Sequence, residues 1–220
     1  MRCFYTYIEQ KKFTYCKFLF KEVINGTREN IINAFFKLAV KNRLEAKNIT
    51  LSDVAKEAGI SRQAIYQKHF SSVDDIVNEI HNLIDNDIYK EFSKVLKNNN
   101  SRNDIYELIA HSLLPLLYEK RVWLHVLYHT SADASWREFL VKKYSSLIVQ
   151  NFSDKIDNNS PMSDYQIIDI ICEYIVAIIS IWLSEEFPEP PSKFAKKFLE
   201  LVRNSSSDLV MGTSKNTSRA

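Results

Sequence analysis

Apolar residues fall into a helical rhythm as soon as the chain reaches Arg28. Ile31, Ile32, Phe35, Phe36 and Ala39 share one face, with Asn30, Asn33 and Lys37 opposite. Thr27 stands where an N-cap belongs. A polar connection from Lys41 to Asn48 leads to Thr50-Leu51-Ser52-Asp53, whose spacing suits a capping box. The helix it opens, about Leu51 to Ala58, turns Val54, Ala55 and Ala58 inward and stops at Gly59, a residue suited to a left-handed C′ position. Ser61 then caps a second short helix, about Arg62 to His69. Ser72-Val73-Asp74-Asp75 launches a long one, roughly Val73 to Leu96.

The same rhythm continues after the polar loop Asn98 to Asn103. Ser101-x-x-Asp104 is read as the start of a helix to about Glu119, kinked because Pro115 cannot donate to the His111 carbonyl. Further helices are expected over Arg121 to His129 and Ala134 to Phe152, followed by a loop from Ser153 to Met162. Ser163-x-x-Gln166 caps a very apolar helix to about Glu186, which Phe187-Pro188-Glu189-Pro190-Pro191 breaks. A last amphipathic helix runs from about Ser192 to Asn204. Residues 205–220 are polar and expected to be disordered. No strand and no internal repeat emerges, so the expected fold class is all-α.

Composition narrows the possibilities. Only 3 of 220 residues are glycine, and neither G-x-G-x-x-G nor G-x-x-x-x-G-K-[ST] occurs, which argues against nucleotide-binding α/β folds. The 3 cysteines, Cys3, Cys16 and Cys172, are odd in number and scattered, as expected of a reducing compartment. The apolar run Ile167 to Leu183 contains Asp169 and Glu173, so it reads as a buried helix rather than a membrane span. Residues 1–25 mix aromatics with lysines and lack the continuous apolar stretch of a signal peptide. A cytoplasmic protein without a membrane partner is the expectation. The net charge of +2 hides a contrast: residues 1–70 hold 13 Lys+Arg against 6 Asp+Glu, and the rest is acidic. A basic head on a mildly acidic body suggests a polyanion-binding first third.

Residues 50–70, TLSDVAKEAGISRQAIYQKHF, carry the chemistry. Two short helices joined by a glycine turn make a helix-turn-helix, and each residue type has a steric reason. Ala55 is small where the second helix crosses, Gly59 makes the turn, and Ile60 and Ile65 plug the angle between helices. Arg62, Gln63, Gln67 and Lys68 then face outward, where a recognition helix would enter a major groove. The bland alternative is a corner in an ordinary helical bundle.

Residues 25–85 resemble the DNA-binding domain of TetR-type transcriptional regulators, through Ile31 to Phe36, Ile49-Thr50, Val54-Ala55-x-x-Ala58-Gly59-Ile60-Ser61, Ile65-Tyr66 and His69-Phe70. The stretch Tyr174 to Leu201 is similar, less specifically, to the dihydroxyacetone-kinase regulator subgroup. The resemblance implies an N-terminal three-helix head (25–85) and a helical effector-binding and dimerisation body (86–204), flanked by an N-terminal extension (1–24) and the tail. It implies that Thr50 and Tyr66 touch phosphates, with Ser61 capping, and that Arg62, Gln63 and Ala64 meet bases. Arg suits guanine, Gln adenine, and the Ala methyl a thymine methyl. Gln67, Lys68 and His69 complete the DNA-binding set, Lys68 and His69 near the backbone. The pattern departs in three places. Gln67 and Lys68 both separate Tyr66 from His69, which leaves open whether Lys68 or His69 meets a phosphate. Val73 replaces a common lysine. Lys47-Asn48 stands in place of a glycine-aromatic pair.

Other constellations add less. His125 and His129 lie at i, i+4, but no acidic or cysteine partner is near in sequence, and no metal or other cofactor is expected. No H-E-x-x-H or G-x-S-x-G is present, so no catalytic residue is assigned. Trp123, Tyr128, His129, Trp136, Phe139 and Tyr174 are candidate walls of a pocket for an unidentified small-molecule effector. Ile171, Ile178, Phe194, Phe198 and Leu201 are candidates for a homodimer interface. The resulting expectation is a homodimeric repressor on a palindromic operator in double-stranded DNA. Its alternative is a TetR-like co-regulator that works through a protein partner. Residues 1–24 are either an aromatic-basic arm or the product of a start placed too far upstream.

Overall fold

The computed structural model describes residues 26–42, 48–98, 104–130, 133, 135–152, 161–204 and 208–209. Among them the chain is helical throughout, with no strand. The helices are α1 (Thr27–Asn42), α2 (Leu51–Ala58), α3 (Arg62–Lys68), α4 (Val73–Asn98), α5 (Ile105–Leu108), α6 (Leu114–Glu119), α7 (Arg121–His129), α8 (Trp136–Phe152), α9 (Asp164–Leu183) and α10 (Pro191–Arg203). The expectations for the extension, for the 153–160 stretch and for most of the tail fall outside the described residues.

Two compact units divide the described chain. One runs to Leu83 and includes the short segment around Asp133; the other takes Ile84 to Tyr128 and the residues from Ser135 onward. The first unit is built on the α1 face predicted from spacing: Ile31, Ile32, Phe35, Phe36 and Ala39 are buried there with Val54, Ile65, Ile76 and Ile80. Removing one such large side chain costs about 3–5 kcal/mol. Within the same unit His81 and Asp133, both buried, pair through Nε2 and a carboxylate oxygen. Thr27 is the first residue of α1 rather than its cap; the Asn30 N–H bonds to the Gly26 carbonyl instead, at 3.1 Å.

In the second unit α8 packs along α9, and α10 packs on α5, α6 and the turn between them. That turn, Ile109–Leu113, is π-helical and ends two residues before Pro115. Pro115 provides no N–H, and the wider turn takes up the displaced ladder where a kink was expected. Asp104 caps α5, accepting from the Tyr106 N–H at 3.0 Å; Ser101, where the sequence starts this helix, lies outside the described residues. Ser163 and Gln166 form the expected capping box on α9.

Helix α9 ends at Leu183, three residues before the predicted stop. The reason is His125, whose Nδ1 lies 3.2 Å from the Leu183 carbonyl and 3.1 Å from that of Glu185. Two carbonyl acceptors require Nδ1 to carry the proton, so the imidazole caps this helix end. Beyond it Trp182 donates from Nε1 to the Glu189 carbonyl at 2.9 Å, and Tyr118 donates to that of Pro188 at 3.3 Å. The Trp182 ring stacks on Phe194 with centroids 4.3 Å apart and on Tyr118 at 5.8 Å. These bonds fold the proline-rich break back against its own unit. Among the described residues α9 is the one helix long and apolar enough to cross a membrane by length and composition alone. It is a core helix on one side, with Ile168, Cys172, Ile175, Ile179, Trp182 and Leu183 buried.

Candidate nucleic-acid interface

The first unit presents a fully capped pair of short helices. The Thr50 hydroxyl accepts from the Asp53 N–H at 3.2 Å, while the Asp53 carboxylate accepts from the Thr50 N–H at 2.9 Å. The Thr50 side-chain and backbone bonds hold the Asp53 carboxyl below its ordinary value. Gly59 adopts φ 70°, ψ 29°, a left-handed conformation that glycine takes without penalty. Its neighbour Ile60 donates to the Ala55 carbonyl at 3.0 Å, which closes the turn. Ser61 then accepts from the Ala64 N–H at 3.1 Å and starts α3.

Helix α3 is anchored by one fully buried residue, Ile65, and exposes all the others but Ala64. Arg62 and Tyr66 stand four residues apart, as do Gln63 and Gln67, so the four make one adjoining exposed surface. Tyr66 is 62% exposed, an unusual place for a large ring in a small helix. Lys68 is exposed and Ala64 half-buried; Thr50 and Ser61 are exposed at their caps. His69 is half-buried at the C-cap, and its N–H returns to the Ile65 carbonyl at 2.9 Å. The structure thus places the nine residues predicted to meet DNA on α3, on its two caps Ser61 and His69, and on the α2 N-cap Thr50.

Two positioning residues were not visible in the sequence. Asn30 of α1 donates from Nδ2 to the Ala58 carbonyl at 2.9 Å, closing the end of α2. Arg28, one residue into α1, donates from Nη1 to the His69 carbonyl at 3.2 Å and from Nε to Glu79 at 3.1 Å. Its guanidinium lies 4.4 Å from the Phe70 ring centroid. Arg28 therefore holds the end of α3 against the start of α4. A charged residue near the N-terminal end of an amphipathic helix carried no signal beyond its polarity.

Among the candidate pocket residues, Tyr128, Trp136 and Phe139 come together in the second unit. Trp136 and Phe139 stack at 5.5 Å. Burial pushes the Tyr128 phenol up to about 12, against the pull of the Trp136 indole and Arg137. Trp123 is half-buried on α7. Tyr174 stands apart, exposed on α9 with its hydroxyl donating to the Leu201 carbonyl at 2.9 Å. The side chain of His129 lies outside the described residues. Missing from the sequence reading are Asp85, Tyr89 and Lys143, which meet Tyr144 of α8. Asp85 is buried, pairs with the Lys143 ammonium and accepts from the Tyr144 hydroxyl at 2.8 Å. Burial first, and Asp85 second, push the Tyr144 phenol well above its ordinary value. The available signal was an acidic residue inside the apolar stripe Ile76, Ile80, Ile84, Ile88, Phe92 of α4.

The interface candidates are likewise redistributed. Phe198 is fully buried, and Ile178 and Phe194 are nearly so, all within their own chain; Ile171 and Leu201 are half-buried. Exposed instead are Ile170 (53%), Tyr174 and Ile181 (71%), at i, i+4 and i+11 on α9. No group of three or more His, Cys, Asp or Glu suited to a metal occurs among the described residues.

No family model and no curated protein matches the sequence. The fold has counterparts among solved structures. A crystal structure of NalD, the secondary repressor of the MexAB-OprM multidrug efflux pump in Pseudomonas aeruginosa, superposes with a TM-score of 0.59 at 21% identity, covering 80% of this chain and 94% of that one. A structure of native NalD from the same organism gives 0.57 at 18% identity, with the same coverage. The chain therefore shares the all-helical fold of NalD over most of its length. Neither comparison bears on the similarity of residues 174–201 to dihydroxyacetone-kinase regulators.

Proposed function

We propose that this chain is a TetR-type, one-component transcriptional regulator of the cytoplasm, a repressor in the manner of NalD. The observation that carries the reading is the exposed α3 surface of Arg62, Gln63, Tyr66 and Gln67, held by two caps, a left-handed glycine and the Arg28 clamp. Arg62 and Gln63 are the base readers, with Ala64 against a thymine methyl. Thr50, Tyr66 and Lys68 contact phosphates; Lys68 takes that role over His69 because it is exposed while His69 is half-buried.

The exposed seam Ile170, Tyr174 and Ile181 supports a homodimer, since an apolar stripe of this kind is a liability on a monomer. Two heads related by two-fold symmetry would read a palindromic operator. The second unit would bind a small-molecule effector that acts only through different affinities for the DNA-bound and free states.

Fluorescence anisotropy on the DNA upstream of the protein's own gene, against a scrambled duplex, tests the reading. Binding to the native duplex should weaken with salt and with Arg62→Ala and Tyr66→Phe. Equal weak binding to both duplexes, untouched by either change, would reject direct readout and favour a protein partner.

A further inference from the structure

The buried carboxylate of Asp85 is surrounded by rings. Lys143, reaching from α8, pairs with it, and its ammonium stands 4.6 Å from the Tyr89 ring centroid and 5.2 Å from that of Phe139. Tyr144 donates to the second Asp85 oxygen and meets Tyr89 edge-on at 5.8 Å, with Phe92 at 6.4 Å. All six residues belong to the second unit. An ammonium held between a carboxylate and aromatic faces is an occupied cation site, with a side chain as the occupant.

The two members of the pair differ in mobility. Asp85 is short, fixed on α4 and almost wholly buried, with its side chain 2% exposed. The Lys143 side chain is 26% exposed on a flexible four-carbon stem, so its ammonium can move out to water. Stability alone gives little reason for the arrangement, because a buried ion pair contributes little beyond what apolar side chains of similar volume would. Charge balance decides what can replace the lysine. A neutral molecule would leave the buried Asp85 carboxylate without a counter-charge, although Tyr144 still donates to it, and an anion would meet it with like charge. A cation restores the charge balance that Lys143 supplied, and one with apolar surface also uses the rings.

We propose that Asp85, Tyr89, Phe139 and Tyr144 form a binding site for a lipophilic organic cation, which enters by displacing the Lys143 ammonium. This rests on the reading of the second unit as the effector-binding body and names the class of effector. Lys143 acts as an internal competitor that keeps the empty site neutral and sets the threshold for binding.

The test uses the full chain, with benzyltrimethylammonium as probe and neopentylbenzene, its uncharged carbon isostere, as control, followed by tryptophan fluorescence. Lys143→Met should bind the cation at least about tenfold more tightly than wild type, by removing the competitor. Asp85→Asn should bind it at least about tenfold more weakly, and Tyr89→Leu roughly threefold more weakly. The neutral isostere should not distinguish these proteins. If Lys143→Met is too unstable to titrate, benzyltrimethylammonium chloride should raise its Tm where equimolar sodium chloride does not. An equal Tm rise with both salts would overturn the proposal. So would cation affinity indifferent to Asp85 and Tyr89, or an isostere that gains as much as the cation from loss of Lys143. DNA anisotropy on the same samples separates the two readings: loss of specific DNA binding with the cation site intact rejects the regulator, not the site.

Discussion

Arg28 offers a way to separate holding the recognition helix from touching DNA. Its guanidinium bonds the His69 carbonyl, pairs with Glu79 and covers Phe70. The ion pair is partly exposed and contributes up to about 1 kcal/mol; the cation–π contact contributes about 0.5–1. With the charge-assisted bond to the carbonyl, discounted for exposure, the clamp biases the docked position of α3 by about 2 kcal/mol. Arg28→Met keeps an apolar stem of similar length and removes the guanidinium with all three contacts. If half of that bias is felt in the complex, operator affinity should fall roughly five- to tenfold. The assay is anisotropy over a series of salt concentrations. Because the guanidinium is turned into its own unit, the slope of log affinity against log salt should not change. Lys68→Met should instead flatten it by about 0.9, the loss of one phosphate contact. A slope that flattens for Arg28→Met as it does for Lys68→Met would refute the clamp and make Arg28 a phosphate ligand.

Other outcomes follow from the same geometry. Nothing lies within 4 Å of a Cβ placed on Gly59, so Gly59→Ala meets only backbone strain at φ 70° and should cost about 1 kcal/mol in urea unfolding, with Gly59→Asn costing less. Asp53 has a folded-state pKa below its ordinary 3.8, so its cap contributes fully above that value and is lost as pH falls through the depressed one. Urea midpoints measured downward from pH 5 should therefore decline less steeply in Asp53→Asn than in wild type. Ile181→Glu, on the exposed seam of α9, should shift the sedimentation of a dimer toward the ~26 kDa monomer without lowering helicity. Phe198→Ala should instead unfold the chain by about 3–5 kcal/mol, since that ring is fully buried in its own unit.

What could be read in advance was what local rules govern. Thr50, Gly59, Ser61, Ser72 and Ser163 mark their helix ends because caps and left-handed turns are decided within four or five residues. The nine predicted residues around α3 emerged together for the same reason. Long-range partners were not legible. The stripe of Phe194 and Phe198 is as apolar as an interface seam, and periodicity cannot say whether a second copy or the chain's own α5 and α6 covers it. Asp85 was hidden because an acidic residue on an apolar stripe acquires meaning only from Lys143 and Tyr144, some sixty positions away. The stop of α9 likewise depended on His125, which sequence spacing had linked to His129.

The stacked rings of Tyr118, Trp182 and Phe194 have a spectroscopic consequence. Chromophores held nearly parallel at 4.3 and 5.8 Å couple their transitions, so this column should dominate the near-ultraviolet circular dichroism. Trp182 belongs to α9, Phe194 to α10 and Tyr118 to α6, and the indole is bonded to the break between the last two helices. Any event that slides α10 relative to α9 would be written into that band without an added label.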